Sequence, residues 1–125
     1  MPRTLIAPDG PARVVGTTTT TKLAERMLAA AGVVHAVLPH GFAATSPMTI
    51  LLEIYLAEEA GRYLGVEQIG LTGYASLPVR QRWVAALEGA DLIERQGCLI
   101  ALSDHGYTTV VTVLENVFAV QRQLD

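Results

Sequence analysis

The chain has 125 residues, room for one domain. Half of them are hydrophobic and only 17% are charged, which excludes a disordered chain, and a single cysteine, Cys98, excludes an internal disulfide framework. Nine basic residues against twelve acidic ones give a net charge of −3, so bulk positive charge cannot drive binding to nucleic acid and only a local basic focus could.

So high an apolar content suggests that some apolar surface is covered by a second subunit. The start Met1-Pro2-Arg3 has no apolar stretch behind it, so no signal peptide is expected. The apolar runs near Leu28 to Leu38 and Val110 to Val120 are too short and interrupted to span a bilayer. A soluble, cytoplasmic protein is the expectation.

Residues 1–20, with Pro2, Pro8, Gly10, Pro11, Gly16 and the threonine run from Thr17, show no apolar period and read as a flexible arm. Thr21 is placed to cap a helix running to about Leu38, whose Leu23, Met27, Leu28, Ala31, Val34 and Leu38 recur mostly at steps of three and four. Pro39, Gly41 and the residues to Thr45 make a loop. Ser46-Pro47 is a helix start, a capping hydroxyl followed by proline at the first helical position; that helix is expected to stop near Gly65. A short packed segment from Val66 to about Thr72 and a turn at Gly73 follow. Ser76 then opens a helix over about 77–89, with Val79, Trp83, Ala86, Leu87 and Ala90 on one face.

Leu92 to Arg95 and Cys98 to Leu102 flank Gln96-Gly97, a two-residue hairpin turn. Ser103 caps a last helix, about 104–125, whose Val110, Val111, Val113, Leu114, Val117, Phe118 and Val120 cover most of its circumference. A helix apolar on nearly all sides is buried, and in a chain this small a second copy is the expected cover. The fold class is therefore mainly α with a small β-hairpin. Three helices followed by a hairpin is the winged helix-turn-helix order, here with extra N- and C-terminal helices. In domain terms the reading is an arm over 1–20 and one domain over 21–125. The domain's dimerisation helices are about 21–38 and 104–125, and its DNA-binding lobe is about 46–103.

In such a fold the second helix of the motif enters the major groove, its inner face apolar and its outer face turned to base edges. With Trp83 and Leu87 inward, Pro78, Gln81, Arg82 and Ala85 face outward, and Arg80 lies on the flank. Gln suits adenine and Arg suits guanine, because each makes paired hydrogen bonds there. Arg80, Arg82 and Arg95, three of the nine basic residues, fall in this helix and at the hairpin tip. Against that focus stands the charge of the lobe: from Ser46 to His105 four arginines meet eight acids, a net of −4, and Arg80 and Arg82 could pair with Glu88 or Asp91 on a solvated face.

The stretch from Ile50 to Gly106 resembles the winged-helix domain of bacterial MarR-type regulators. The resemblance rests most on RWVAALEGADLIER (82–95), on a glycine at the hairpin turn and on LSDHG (102–106) opening the last helix. Taken over roughly Ser46 to Asp125 it covers about 80 residues well, and the N-terminal helix loosely. It implies a homodimer with intertwined terminal helices, bound to double-stranded DNA and regulating transcription. On that pattern Ser76, Leu77, Pro78, Gln81 and Arg82 fall where the family reads the groove, and Arg95, Gln96 and Gly97 fall at the wing. The hairpin is shorter than the family's usual wing with its basic loop. Pro78 and Val79 also stand where polar Ser or Thr is common.

Other chemistry finds little footing. Cys98, His35, His40 and His105 show no ligand spacing within one element, so no metal and no other cofactor is expected, and Cys98 reads as a small core residue on a strand. Glu58 and Glu59 are adjacent on a helix and point about 100° apart, so they are not a convergent carboxylate pair. No nucleophile elbow or phosphate loop is present, and an enzyme is not expected. Tyr55, Tyr63, Tyr74 and Trp83 are core residues first, and lining for a small apolar or aromatic effector second. Two alternatives stay open beside the DNA-binding homodimer: a protein-interaction module of the same fold without DNA affinity, and a ligand-responsive sensor.

Overall fold

The computed structural model describes residues 18–39, 42, 46–70 and 76–124. Residues 1–17 of the expected arm, most of the loop after Pro39 and the turn at Gly73 lie outside the described residues. The order is α1 (Thr18–Val37), α2 (Pro47–Glu59), β1 (Leu64–Gly65), a 3-10 turn (Val66–Gln68), α3 (Leu77–Gly89), β2 (Ile93–Gln96), β3 (Leu99–Leu102) and α4 (Asp104–Leu124). This is a mainly helical fold with one small sheet.

α1 begins at Thr18, inside the threonine run expected to be arm, so Thr21 is not its cap. The reason is tertiary. Thr20 is buried, and its Oγ1 lies 3.1 Å from the Tyr55 hydroxyl on α2. That contact outweighs the modest helix propensity of threonine.

α2 is the centre of the core. Its start is as the sequence indicates: Ser46 is extended, and its Oγ accepts from the Thr49 N–H at 3.2 Å. Its end comes at Glu59, well before Gly65. The Gly61 N–H bonds to the Glu58 carbonyl and the Arg62 N–H to the Ala57 carbonyl, a Schellman closure that Gly61 permits with φ +80°. Ile50, Leu51, Leu52, Ile54, Tyr55 and Ala57 are all buried, so nearly every side of α2 is covered. α1, β3 and α4 pack on it, and the same core cluster takes in Leu23 and Ala24 of α1, Val84 and Leu87 of α3, Ile93, Ile100 and Leu102 of the sheet, and Val110 and Leu114 of α4. Each such Leu or Ile stabilises the fold by about 1.5–3 kcal/mol relative to exposure.

The sheet has three antiparallel strands in the order β1-β3-β2, not the expected two. β1 pairs Leu64 with Ile100 and Gly65 with Leu99, and then stops. The Leu102 N–H points to the same side of β3 as that of Ile100, beyond the start of β1 at Leu64. Glu58 of α2 meets it there, Oε2 accepting at 2.7 Å. A carboxylate thus continues the hydrogen bonding where the strand runs out. The hairpin turn is Gly97-Cys98, one residue later than expected, because Gln96 pairs with Leu99. Gly97 has φ +63°, as the first turn residue of a II′ hairpin requires.

α4 is joined tightly to the start of β2. The Ser103 N–H bonds to the Leu92 carbonyl at 3.1 Å, Ser103 Oγ donates to the Asp91 carbonyl at 2.6 Å, and the Gly106 N–H donates back to Ser103 Oγ at 2.8 Å. Beyond that junction Gly106, Val110 and Leu114 are buried, whereas Phe118, Val120 and Leu124 are exposed. Within one chain, then, α4 is covered along one side, through Gly106, Val110 and Leu114 with Tyr107, Val111 and Val117 partly buried beside them, and not on nearly all sides.

Candidate nucleic-acid interface

α3 starts at Leu77 with Ser76 in the N-cap position and Pro78 in the first turn, where its missing N–H leaves no bond unmade. Ser76 has the extended backbone of a cap (φ −65°, ψ 159°), but its hydroxyl caps nothing and is exposed. The helix ends in a second Schellman closure, with the Asp91 N–H on the Glu88 carbonyl and the Leu92 N–H on the Leu87 carbonyl. Asp91 itself takes the left-handed position, φ 61°, that glycine usually fills.

The inner face of α3 differs from the expected one. Val84 and Leu87 are buried; Trp83 is half-buried against the core, and Ala86 and Ala90 are exposed. The seam therefore runs through 80, 84 and 87, positions one helical turn apart, and Arg80 lies on it. The Arg80 Nη1 donates to the Glu67 carbonyl at 2.9 Å, with those of Ile69 and Val66 at 3.4 and 3.5 Å. All three carbonyls belong to the 3-10 turn and the residue after it.

The opposite side carries Ser76, Leu77, Pro78, Gln81, Arg82 and Ala85, all exposed. Arg82 forms no ion pair or hydrogen bond among the described residues. Arg95, on β2, reaches back to α3 and pairs with Glu88, Nη2 to Oε1 at 3.0 Å, both side chains about two-fifths exposed. Gln96 is exposed at the end of β2. Of the eight residues expected to contact DNA, α3 and the residue before it thus bring five to one outer surface. Arg80 turns inward, Arg95 is tied to an acid, and Gln96 stands at the hairpin tip. The sequence offered Glu88 as a partner for Arg80 or Arg82; the pairing with Arg95 was legible only once β2 ran beside α3.

Away from this surface, Tyr55 is fully buried, and the Tyr107 ring lies 5.9 Å from its own at 37°. Burial pushes the Tyr55 phenol above its usual 10.0; Glu59 nearby adds to the rise, and the hydrogen bond with Thr20 opposes it. Tyr55 and Trp83 pack in or against the core, and Tyr74 lies outside the described residues. Cys98 is exposed in the hairpin turn and is not a core residue. Among the described residues, no three His, Cys, Asp or Glu side chains gather as a metal site would need. No described helix is long and apolar enough to cross a membrane.

Comparison of the chain with protein-family models, with curated proteins and with solved structures returned no match.

Proposed function

We propose that the chain is a winged helix-turn-helix protein that binds double-stranded DNA as a homodimer and regulates transcription. In this reading the 3-10 turn and α3 form the motif, α3 is the recognition helix, and β2–β3 is a short wing. One observation carries it. α3 is seated by Val84 and Leu87 while Gln81 and Arg82, the two side chains best suited to base edges, stand exposed on its far side.

The dimer part has its own support. The second half of α1 leaves Val33, Val34 and Val37 exposed, as is Leu38 just after it, and α4 leaves Phe118, Val120 and Leu124 exposed. Both helices begin in the core beside Tyr55, through Thr20 and Tyr107, and both carry their uncovered apolar residues toward their C-terminal ends. Apolar surface of that extent on two neighbouring helices calls for a partner. A second copy brings its own α3, and a two-fold arrangement with helices about one DNA turn, roughly 34 Å, apart reads an inverted repeat.

The alternative is an interaction module of the same fold without DNA affinity. What favours it is the net charge of −4 from Ser46 to His105, with Arg95 already paired. Selection of bound fragments from a random duplex pool separates the two. A regulator enriches a rough inverted repeat, and the Q81A and R82A variants lose preference at defined base pairs within it. An interaction module enriches nothing.

A further inference from the structure

Three arginines stand in or beside the candidate interface, and one of them is turned the wrong way to touch DNA. Arg80 shares the inner seam of α3 with Val84 and Leu87, and its side chain leaves the helix toward the 3-10 turn. It is half-buried, and its Nε is enclosed with no hydrogen-bond partner among the described residues. Its Nη1 faces the carbonyls of Glu67 (2.9 Å), Ile69 (3.4 Å) and Val66 (3.5 Å).

The last carbonyls of a helical turn have no following turn to bond them, and together they carry partial negative charge. A guanidinium is suited to such a cluster, since it is always charged and presents several donors in a fixed plane. The contact reaches 13 residues along the chain and joins the two elements of the proposed motif directly. The angle of α3 against the preceding turn then rests on a side chain as well as on the connection between them.

We propose that Arg80 is a positioning residue for α3. It fixes the helix against the 3-10 turn, and thereby presents Gln81 and Arg82, without touching phosphate or base itself. For Arg80 to reach a phosphate, its guanidinium would have to leave three carbonyls. The proposal rests on the DNA-binding reading above, and its test separates the failure of one from the failure of the other.

The experiment compares the unmodified protein with R80M, R80K and R82A in two measurements. The first is amide hydrogen exchange of the free protein. R80M keeps the aliphatic stem and removes every donor, so exchange should speed up around residues 66–70 and along α3 while α4 is unchanged; R80K should restore protection only in part, and R82A should not alter it. The second is affinity for the preferred duplex and for single-base variants of it, across a salt series. A positioning role predicts that R80M loses about tenfold or more in affinity for the preferred duplex and discriminates less at the pairs read by Gln81 and Arg82. The slope of log K against log salt should stay that of the unmodified protein.

A phosphate contact predicts a different pattern. R80M would weaken every duplex equally, flatten the slope by about 0.9 and leave exchange at 66–70 untouched, while R80K would recover nearly full affinity. That pattern overturns the proposal and leaves the DNA-binding reading standing. If the unmodified protein binds no duplex at low salt, the reading falls and the proposal falls with it.

Discussion

Gly106 is the position where one methyl group should do the most damage. A Cβ built there lies 1.8 Å from the carbonyl oxygen of Leu92 and 2.8 Å from its carbonyl carbon. Non-bonded heavy atoms do not approach so closely, and the obstacle is backbone, so no rotamer change relieves it. Either the start of α4 or the entry to β2 must move by more than an ångström. The same few residues are held by the Ser103 N–H on the Leu92 carbonyl and the Ser103 hydroxyl on the Asp91 carbonyl. Overpacking of this kind costs about 1–3 kcal/mol, and each hydrogen bond lost in relieving it about 0.5–1.5 kcal/mol. The better helix propensity of alanine returns at most about 1 kcal/mol. Gly106→Ala should therefore destabilise the protein by roughly 2–4 kcal/mol, a large share of the 5–15 kcal/mol typical of a folded domain. Urea unfolding checks this, with Gly89→Ala as the control. A Cβ at Gly89 meets nothing within 4 Å, so that variant should match or slightly exceed the parent in stability. An unfolding midpoint for Gly106→Ala equal to the parent's would refute the reasoning. So would equal losses at both positions.

Three further outcomes are expected. Glu88→Gln removes the partner of Arg95 and one acidic charge beside α3, so duplex affinity at low salt should rise severalfold. Stability should change by less than about 1 kcal/mol, the pair being exposed; an unchanged duplex affinity would place the hairpin away from DNA. Tyr55 is less acidic in the fold than in the open chain, so the stability linked to its phenol is complete below the unfolded value of 10.0 and declines as pH rises past it. Tyr55→Phe should cost about 1 kcal/mol at neutral pH through loss of the bond to Thr20 and should flatten that alkaline decline; a decline of the same size in the variant would assign it to other groups. Phe118→Asp and Val37→Glu place charge on the uncovered ends of α4 and α1, and each should shift the sedimentation mass from two chains toward one. A parent protein that already sediments as a single chain would remove the homodimer from the account.

What could be read from the sequence was mostly the punctuation. Ser46-Pro47, Ser76 and Ser103 stand at the starts of three helices, and the causes are local. The Ser46 and Ser103 hydroxyls each accept a helix N–H, and after Ser76 it is Pro78 that suits the first turn. The outer residues of α3 were legible for the same kind of reason: Gln81, Arg82 and Ala85 follow from helical period once the helix is placed. What escaped depends on partners far along the chain. β1 is two residues long and exists because β3 lies beside it. The threonine run is helical as far back as Thr18 because Thr20 meets Tyr55, 35 residues on. Trp83, the largest apolar side chain of α3, drew the expected inner face toward itself, whereas Val84 and Leu87 hold it and Arg80 shares their seam. The amphipathic pattern of a short helix does not separate those two settings, about 100° apart. The pairing of Arg95 with Glu88 needed the path of β2, which no local pattern gives.

In the proposed function α3 meets DNA through its exposed side. Fluorescence anisotropy of a selected duplex, titrated with the purified protein from about 50 to about 200 mM salt, tests this most directly. Binding should weaken at least tenfold across that range, on the order expected when a few phosphates are neutralised, and Arg82→Ala should bind the same duplex more weakly throughout. No binding at the lowest salt, or binding that Arg82→Ala leaves unchanged, would contradict it.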